Sequence, residues 1–286
     1  MNSRSLKLLA CLAVTFDLVL WGWILFPSLR SDSGQAVVMY FLDVGQGDSE
    51  LITIDGVDIL VDGGPDAKVL ESLSKVMSPT DRYIDLVILS HPHLDHFGGL
   101  TDVLKNYDVG VFIDSGHDHT ISQYDYFKKV LAEENIKHIN LGKGDKVKYK
   151  DLVLNFLSPE KTGQKDMHDN TLVFMLEKEN FKGLFTGDIN FKVEKNLMRD
   201  YKDLTANLLK VSHHGSANSA SNEWLRAVRP QISVIGVGAR NPYGHPKPAL
   251  LSRLQSSGAQ IFRTDQNGTI KAVLEEGNLN ISVQKW

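Results

Sequence analysis

From residue 37 onward the apolar positions fall in short runs separated by turn residues. Residues 37–44, 49–54 and 57–61 are rich in Val, Ile and Leu and are split by Gly45-Gln46-Gly47 and by Asp55-Gly56. That pattern predicts a β-meander ending at Asp62-Gly63-Gly64. Residues 67–77 read as a helix and the continuous apolar run 84–89 as a buried strand. A helix over 98–107, a strand at 109–113, a helix over 121–135 and a strand at 137–141 follow. A second group of strands is expected at 146–149, 152–157, 171–177 and 181–185. After it come helix 191–201, strand 208–212, helix 222–228, strand 232–237, helix 247–256 and three terminal strands. Two halves of the same form predict an α/β body: two sheets face to face with helices outside.

The pattern before residue 37 is different. Residues 6–27 form an apolar run of membrane-spanning length, preceded by Arg4 and Lys7 and closed by Trp21, Trp23, Phe26 and Pro27. Asp17 near its middle opposes insertion by about 2.5–3.5 kcal/mol, while each Leu, Ile, Val or Phe returns roughly 0.3–0.6 kcal/mol. Twelve such residues lie between positions 6 and 26, so insertion wins. Residues 1–30 are therefore expected to be an N-terminal membrane anchor, with a cleaved signal segment as the rival and a buried soluble helix as the third reading, and residues 31–286 the functional body. The basic residues at the start place that body outside a single-pass cell membrane, or secreted if the segment is cleaved.

Composition narrows the chemistry. With 31 basic and 35 acidic side chains the net charge is -4, so no overall positive field draws the chain to nucleic acid, although a local patch is allowed. The one cysteine, Cys11, sits in the apolar run, which excludes a thiolate metal site in the body. Any metal must be held by imidazole and carboxylate, and the chain has 10 histidines.

Four of the six residues in His91-Pro92-His93-Leu94-Asp95-His96 can bind a divalent ion, and they follow the buried run 84–89. Pro92 favours an extended His91, so His91 and His93 can project to one side, while Asp95 and His96 start a helix and face another way. This suits two adjacent metals, one for each pair. A bridging carboxylate must come from elsewhere; Asp188, after an apolar strand and beside Gly187, is the best candidate, or else it caps helix 191–201. His213 and His214 end another strand, where alternation would turn one inward as a ligand and the other toward substrate. Asp62 could orient a ligating imidazole or serve as a turn carboxylate. His245, in Asn241-Pro242-Tyr243-Gly244-His245-Pro246, suits a substrate-facing proton donor. His117 and His119 read as a solvated loop, with a rim contact or a stray metal site as the alternative, and His138 as structural. No Walker loop and no nucleophile elbow is present.

The six-residue cluster resembles the HxHxDH signature of the metallo-β-lactamase superfamily, with Asp62, Asp188 and His213-His214 in the expected order. Within it, the chain is similar to the hydrolase domain of the ComEC/Rec2 competence proteins. The matching segments are Phe41-Leu42-Asp43-Val44-Gly45-Gln46-Gly47-Asp48-Ser49, Thr186-Gly187-Asp188, the stretch from Leu209 to Ser216, the stretch from Asn241 to Pro246, and Arg263-Thr264-Asp265 with Gly268. The resemblance implies an αββα sandwich and a metal set of His91, His93, Asp95, His96, Asp188 and one of His213 and His214. His214, directly before glycine, matches the ligand and His213 the substrate contact. Asn170 stands where a third histidine is usual, and His168 substitutes only if the loop bends. The competence proteins also carry a multi-helix channel; one membrane helix does not make one.

The expectation is thus a metal-dependent extracytoplasmic hydrolase holding two divalent ions, Zn²⁺ or Mn²⁺. It would cleave a phosphodiester, nucleic acid first, through a two-metal activated hydroxide, with Asp95, His213 and His245 in catalytic roles. The alternatives are a phosphorylcholine or cell-wall phosphodiester esterase, and a non-catalytic accessory protein that binds an extracellular polymer. Beyond substrate and membrane, no obligate protein partner is expected.

Overall fold

The computed structural model describes residues 36–160 and 168–285. The meander forms as β1 (Val37–Phe41), β2 (Glu50–Ile54) and β3 (Val57–Val61), paired antiparallel in that order. Helix α1 (Lys68–Val76) leads to β4 (Tyr83–Ile88), which joins β3 in parallel. Short helices α2 (Leu94–Phe97) and α3 (Leu100–Asn106) then lead to β5 (Asp108–Asp114), and α4 (Ser122–Glu133) to β6 (Lys137–Asn140), both strands again parallel to their neighbours.

The second sheet contains β7 (Lys146–Tyr149), β8 (Leu152–Ser158), β9 (Val173–Lys178) and β10 (Phe181–Phe185) as an antiparallel group. It continues in parallel through β11 (Leu208–Lys210), β12 (Ile232–Ile235) and β13 (Gln260–Arg263), with α5 (Phe191–Asp200), α6 (Asn222–Val228) and α7 (Pro248–Ser256) between them. A one-turn helix, α8 (Thr264–Asn267), returns the chain to the first sheet as β14 (Thr269–Glu275) and β15 (Asn278–Gln284). The sheets have eight and seven strands, ordered β15-β14-β1-β2-β3-β4-β5-β6 and β13-β12-β11-β10-β9-β8-β7.

Three apolar layers hold the sandwich together. Between the sheets, Val37, Met39 and Phe41 of β1 meet Leu154, Phe174 and Phe185 from the other sheet, and Phe41 stacks on Phe185 with ring centroids 6.1 Å apart. Alternation makes this possible: Tyr40, between two inward residues, faces the helix side of the first sheet. Helices α1, α3 and α4 cover that outer face with Leu73, Val103 and Phe127. On the far side, α5, α6 and α7 cover the second sheet with Leu197, Trp224 and Leu254. Each fully buried large aliphatic or aromatic side chain contributes roughly 1.5–3 kcal/mol. The expected αββα architecture is therefore the observed one.

Two local expectations differ. The helix expected over 98–107 begins at Leu100, after Gly98-Gly99, which pass the Gly63–Asp66 backbone too closely for any Cβ. The strand expected over 208–212 ends at Lys210, and Ser212–Gly215 form a tight turn.

One larger expectation is corrected. The apolar run 6–27 lies outside the described residues, and among the described residues no helix is long and apolar enough to cross a membrane. A span needs about 20 apolar residues, whereas the longest described helix, α4, has 12 and is amphipathic. The single-pass placement with an extracytoplasmic body, or its secreted variant, is withdrawn.

Candidate metal centre

The parallel groups β3–β6 and β10–β13 direct their carboxyl ends to one edge of the sandwich, where open α/β sheets form sites. Beyond β3, Asp62 receives the Ser90 backbone N–H at 2.7 Å and the Ser90 hydroxyl at 2.6 Å. This clamps the chain leaving β4 just before the histidines. The His93 N–H donates to the His91 carbonyl at 2.9 Å, so the chain folds tightly around Pro92. The side chains then converge: His91 Nε2 lies 2.9 Å from His93 Nδ1. His93 also serves as the extended residue before α2, which puts Asp95 and His96 on that helix.

His96 is oriented from behind. Its Nδ1 lies 2.7 Å from Asp62 Oδ2, which leaves Nε2 aimed at the opposite sheet. There it lies 3.4 Å from Asp188 Oδ2, buried and without a hydrogen-bond partner.

Asp188 follows β10 after Thr186 and Gly187. Gly187 has φ +47°, and a Cβ there would meet Thr171 and the Ser90 side chain at 2.6 and 3.2 Å, so only glycine lets the two sheets' loops approach. One oxygen of Asp188 accepts the His213 N–H at 3.1 Å. The other faces His91 Nε2 at 3.8 Å, His96 Nε2 at 3.4 Å, His214 Nε2 at 3.8 Å and His213 Nε2 at 4.0 Å. Asp188 does not cap α5; Asn190 does, accepting from the backbone N–H groups of Lys192 and Val193.

His213 and His214 both lie in the left-handed region, at φ 52° and 50°. For L-residues this costs of order 1–3 kcal/mol each and persists where the surroundings enforce it. Strand alternation is thus not what separates them; the turn is. The His214 side chain is buried, with Nε2 3.1 Å from Asp95 Oδ2 and Nδ1 2.9 Å from the Gly236 carbonyl. His213 stays 32% exposed, its ring 6.0 Å from that of His245.

Three ionisable residues that local sequence reasoning left without a role stand behind His214. Asp48 Oδ1 lies 3.3 Å from His214 Nδ1, and Asp48 Oδ2 accepts from Lys210 Nζ at 2.5 Å. Glu50 is 3.7 Å from the same ammonium. All three are buried between the sheets. The Asp48 backbone N–H also donates to the Asp95 carbonyl at 3.2 Å, so one residue braces both Asp95 and His214. Gly236 makes room for it, since a Cβ there would collide with the Asp48 carboxylate. Among signals in the sequence, only a lysine within an otherwise apolar strand, Leu208-Leu209-Lys210-Val211, hints at this arrangement.

Burial opposes charge at every one of these positions, and the neighbours decide the outcome. The imidazolium charges of His96 and His214 overcome burial and hold Asp188 well below the usual carboxylate range. Asp188 and Asp62 in turn raise His96 well above the ordinary imidazole value, and Asp48 with Asp188 raises His214 to about 10. Lys210 and His214 hold Asp48 near 2 against its burial. Glu50, for which burial dominates, is pushed up to about 8. Without metal the cluster thus stores protons on His96 and His214, and a divalent ion must displace them.

Other expected residues fall around this centre. Asn170 is buried in the short turn His168–Asn170, and the Leu172 N–H that follows donates to the Ser90 carbonyl at 2.8 Å, tying the turn to the His91 loop. The His168 side chain lies outside what is described. His245 is lowered to about 4 by burial and by the nearby His213 and His214, so at neutral pH it is a neutral imidazole, not a charged acid. His119 is more than a solvated loop residue: its ring lies 6.0 Å from that of His93, at the rim. His138 pairs with Asp114 at 3.1 Å on the far edge.

Two donor groups are preassembled: Asp48, His96, Asp188 and His214, and His91, His93 and Asp188. With Asp95 beside the first, they share Asp188. The orphaned His96 nitrogen and an all-imidazole and carboxylate donor set fit divalent metal ions.

The chain belongs to the metallo-β-lactamase superfamily, whose sequence profile matches residues 42–238. The fold and the donor groups support a metal-dependent hydrolase. Among curated proteins it is 27% identical to ComE operon protein 3 of Bacillus subtilis (strain 168), over 94% of this chain and 37% of that one. It is also 27% identical to competence protein ComA of Neisseria gonorrhoeae, over 92% and 36%. The chain therefore spans little more than a third of these relatives. Among solved structures, Igni18, a metallo hydrolase from Ignicoccus hospitalis KIN4/I, superposes with a TM-score of 0.55 at 16% identity, covering 82% of this chain and 98% of that one. The expected resemblance to competence proteins is borne out.

Proposed function

We propose that the chain is a phosphodiesterase that holds two divalent ions and acts on nucleic acid. The observation that carries this reading is Asp188 Oδ2, a single carboxylate oxygen within 4 Å of imidazole nitrogens from His91, His96, His213 and His214. His91 and His93 would hold one ion and Asp95, His96 and His214 the other, with Asp188 shared between them. Such a pair of ions lowers the pKa of water and offsets charge that builds on phosphoryl oxygens.

The chain's own groups do the rest. Asp62 fixes the ring orientation of His96, and the Gly236 carbonyl, with the Asp48 carboxylate beside it, fixes that of His214, leaving their Nε2 atoms for metal. His213 and His245 stand on the open side, where they meet substrate. His245, neutral at pH 7, enters as a hydrogen-bonding imidazole that positions the phosphoryl group or leaving oxygen. The similarity to competence proteins favours nucleic acid over other phosphodiesters as substrate.

The test is a panel of single- and double-stranded DNA, RNA, bis-p-nitrophenyl phosphate, p-nitrophenyl phosphorylcholine, a lactone and a thioester, run with Mn²⁺ and with Zn²⁺. Asp95→Asn is the control. Cleavage of a nucleic acid that Asp95→Asn loses supports the reading. Turnover of a lactone or thioester with every phosphodiester left intact overturns it.

A further inference from the structure

Six large apolar side chains stand exposed among the described residues, and three lie within three residues of a side chain of the metal centre or its open side: two at the first positions of helices α2 and α5 and one in a loop. Leu94 directly follows His93, Phe191 comes shortly after Asp188, and Tyr243 lies just before His245. The centre itself is lined with carboxylates and imidazoles, so a small anion reacting there would need no apolar rim. A substrate with flat, apolar faces joined to an anionic linkage would.

Tyr243 is the most exposed of the six at 59%. Its ring stacks on His245, centroids 5.7 Å apart and planes 27° from parallel. His245 in turn meets His213 edge to face at 6.0 Å, and His213 Nε2 lies 4.0 Å from Asp188 Oδ2. A series of rings thus runs from solvent to the shared carboxylate. The loop that presents Tyr243 is tied down: Asn241 accepts the His245 N–H at 2.9 Å and donates to the carbonyls of Gly238 and His245, both at 2.8 Å. Lys247 Nζ donates to the Tyr243 carbonyl at 2.6 Å. The outer face of the tyrosine is held ready, so little ordering entropy is lost when a ring settles on it.

Cations accompany the aromatic faces. The Arg253 guanidinium lies 5.6 Å from the Phe191 ring centroid, and Lys247 and the exposed Arg240 flank Tyr243 in sequence. Aromatic faces interleaved with cations suit single-stranded nucleic acid, whose unpaired bases stack on rings while the cations follow the phosphates. In a duplex the bases are already stacked on one another and offer no face.

We propose that Tyr243, with Phe191, is a stacking shelf for nucleobases next to the scissile phosphodiester, which makes single-stranded nucleic acid the ligand. The proposal rests on the phosphodiesterase reading but is tested separately from it. Binding of a phosphorothioate-linked 12-nucleotide strand, of the same strand made abasic, and of its duplex is followed by fluorescence anisotropy with Mn²⁺-loaded full chain. Stacking is sequence-tolerant and strong enough that Tyr243→Ala should weaken binding of the base-containing strand roughly ten- to a hundredfold. Tyr243→Trp should restore it, and the abasic strand should bind wild type as weakly as it binds Tyr243→Ala. Phe191→Ala should give a smaller loss with the same dependence on the base. Unchanged binding by Tyr243→Ala, an equal loss on the abasic strand, or a duplex held as tightly as the single strand would overturn the shelf. Base-dependent binding without cleavage of the unmodified strand would keep the shelf and sink the phosphodiesterase reading; cleavage without base dependence would do the reverse.

Discussion

The two ends of the donor cluster are built differently. At one, His96 and His214 are buried and each is braced from behind, by Asp62 and by Asp48. That bracing extends to Lys210 and Glu50 in the space between the sheets. At the other, His91 is buried and its Nδ1 lies 3.1 Å from the Ser90 hydroxyl, but His93 is partly open to solvent, and Asn170 occupies the chain position where the resemblance leads one to expect a third imidazole. A ligand whose remote nitrogen is already held loses little freedom when metal arrives, and its tautomer is already chosen. The braced pole should therefore bind first and more tightly, and the open pole should be the one that fills and empties.

The largest expected effect treats the poles alike. Asp188→Asn removes the shared carboxylate, and activity should fall roughly a hundredfold or more. Metal content measured by mass spectrometry should drop for both ions; loss of one ion alone would mean that Asp188 serves a single pole.

Next comes Asp48→Asn, which separates the poles. It keeps the side chain's size but removes the charge paired with Lys210 and the carboxylate behind His214. Affinity at the braced pole should weaken about 10- to 100-fold, the range for groups that orient ligands, while the open pole keeps its affinity. Calorimetric titration with Zn²⁺ separates the two events, and an equal change in both would erase the distinction.

The smallest effect concerns the far end of the bracing. Burial raises Glu50 from 4.5 to about 8, so its carboxyl holds a proton more tightly folded than unfolded. Such a group stabilises the fold fully below its unfolded value, and that contribution is lost as pH rises through 8. Metal-free wild type should lose roughly 1–3 kcal/mol of stability between pH 5 and 9 that Glu50→Gln retains. Denaturant titrations at several pH values check this, and parallel profiles for the two proteins would refute it.

Much of this was legible in the chain. Runs of Val, Ile and Leu with period-two burial marked the strands, whereas the close passages at Gly98-Gly99, within one sheet's loops, and at Gly187, between the two sheets' loops, show only in the fold. His91, His93, His96 and Asp188 were found because each follows a strand. What escaped was set by distance in the chain. Asp48 and Lys210 are 162 residues apart, and nothing local in either segment points to the other. His213 and His214 were assigned to strand alternation, whereas a left-handed turn, which no local preference favours for histidine, separates them. Whether Asp188 caps a helix or faces the histidines was open until Asn190 took the cap.

The central claim is a shared-carboxylate centre with unequal poles. Anomalous diffraction from crystals equilibrated at stepped Zn²⁺ concentrations measures each pole's occupancy in place. Density among Asp95, His96, Asp188 and His214 should saturate first, with a second peak among His91, His93 and Asp188 growing in at higher concentration. A first peak at His91 and His93, or one ion only at saturating metal, would contradict the account.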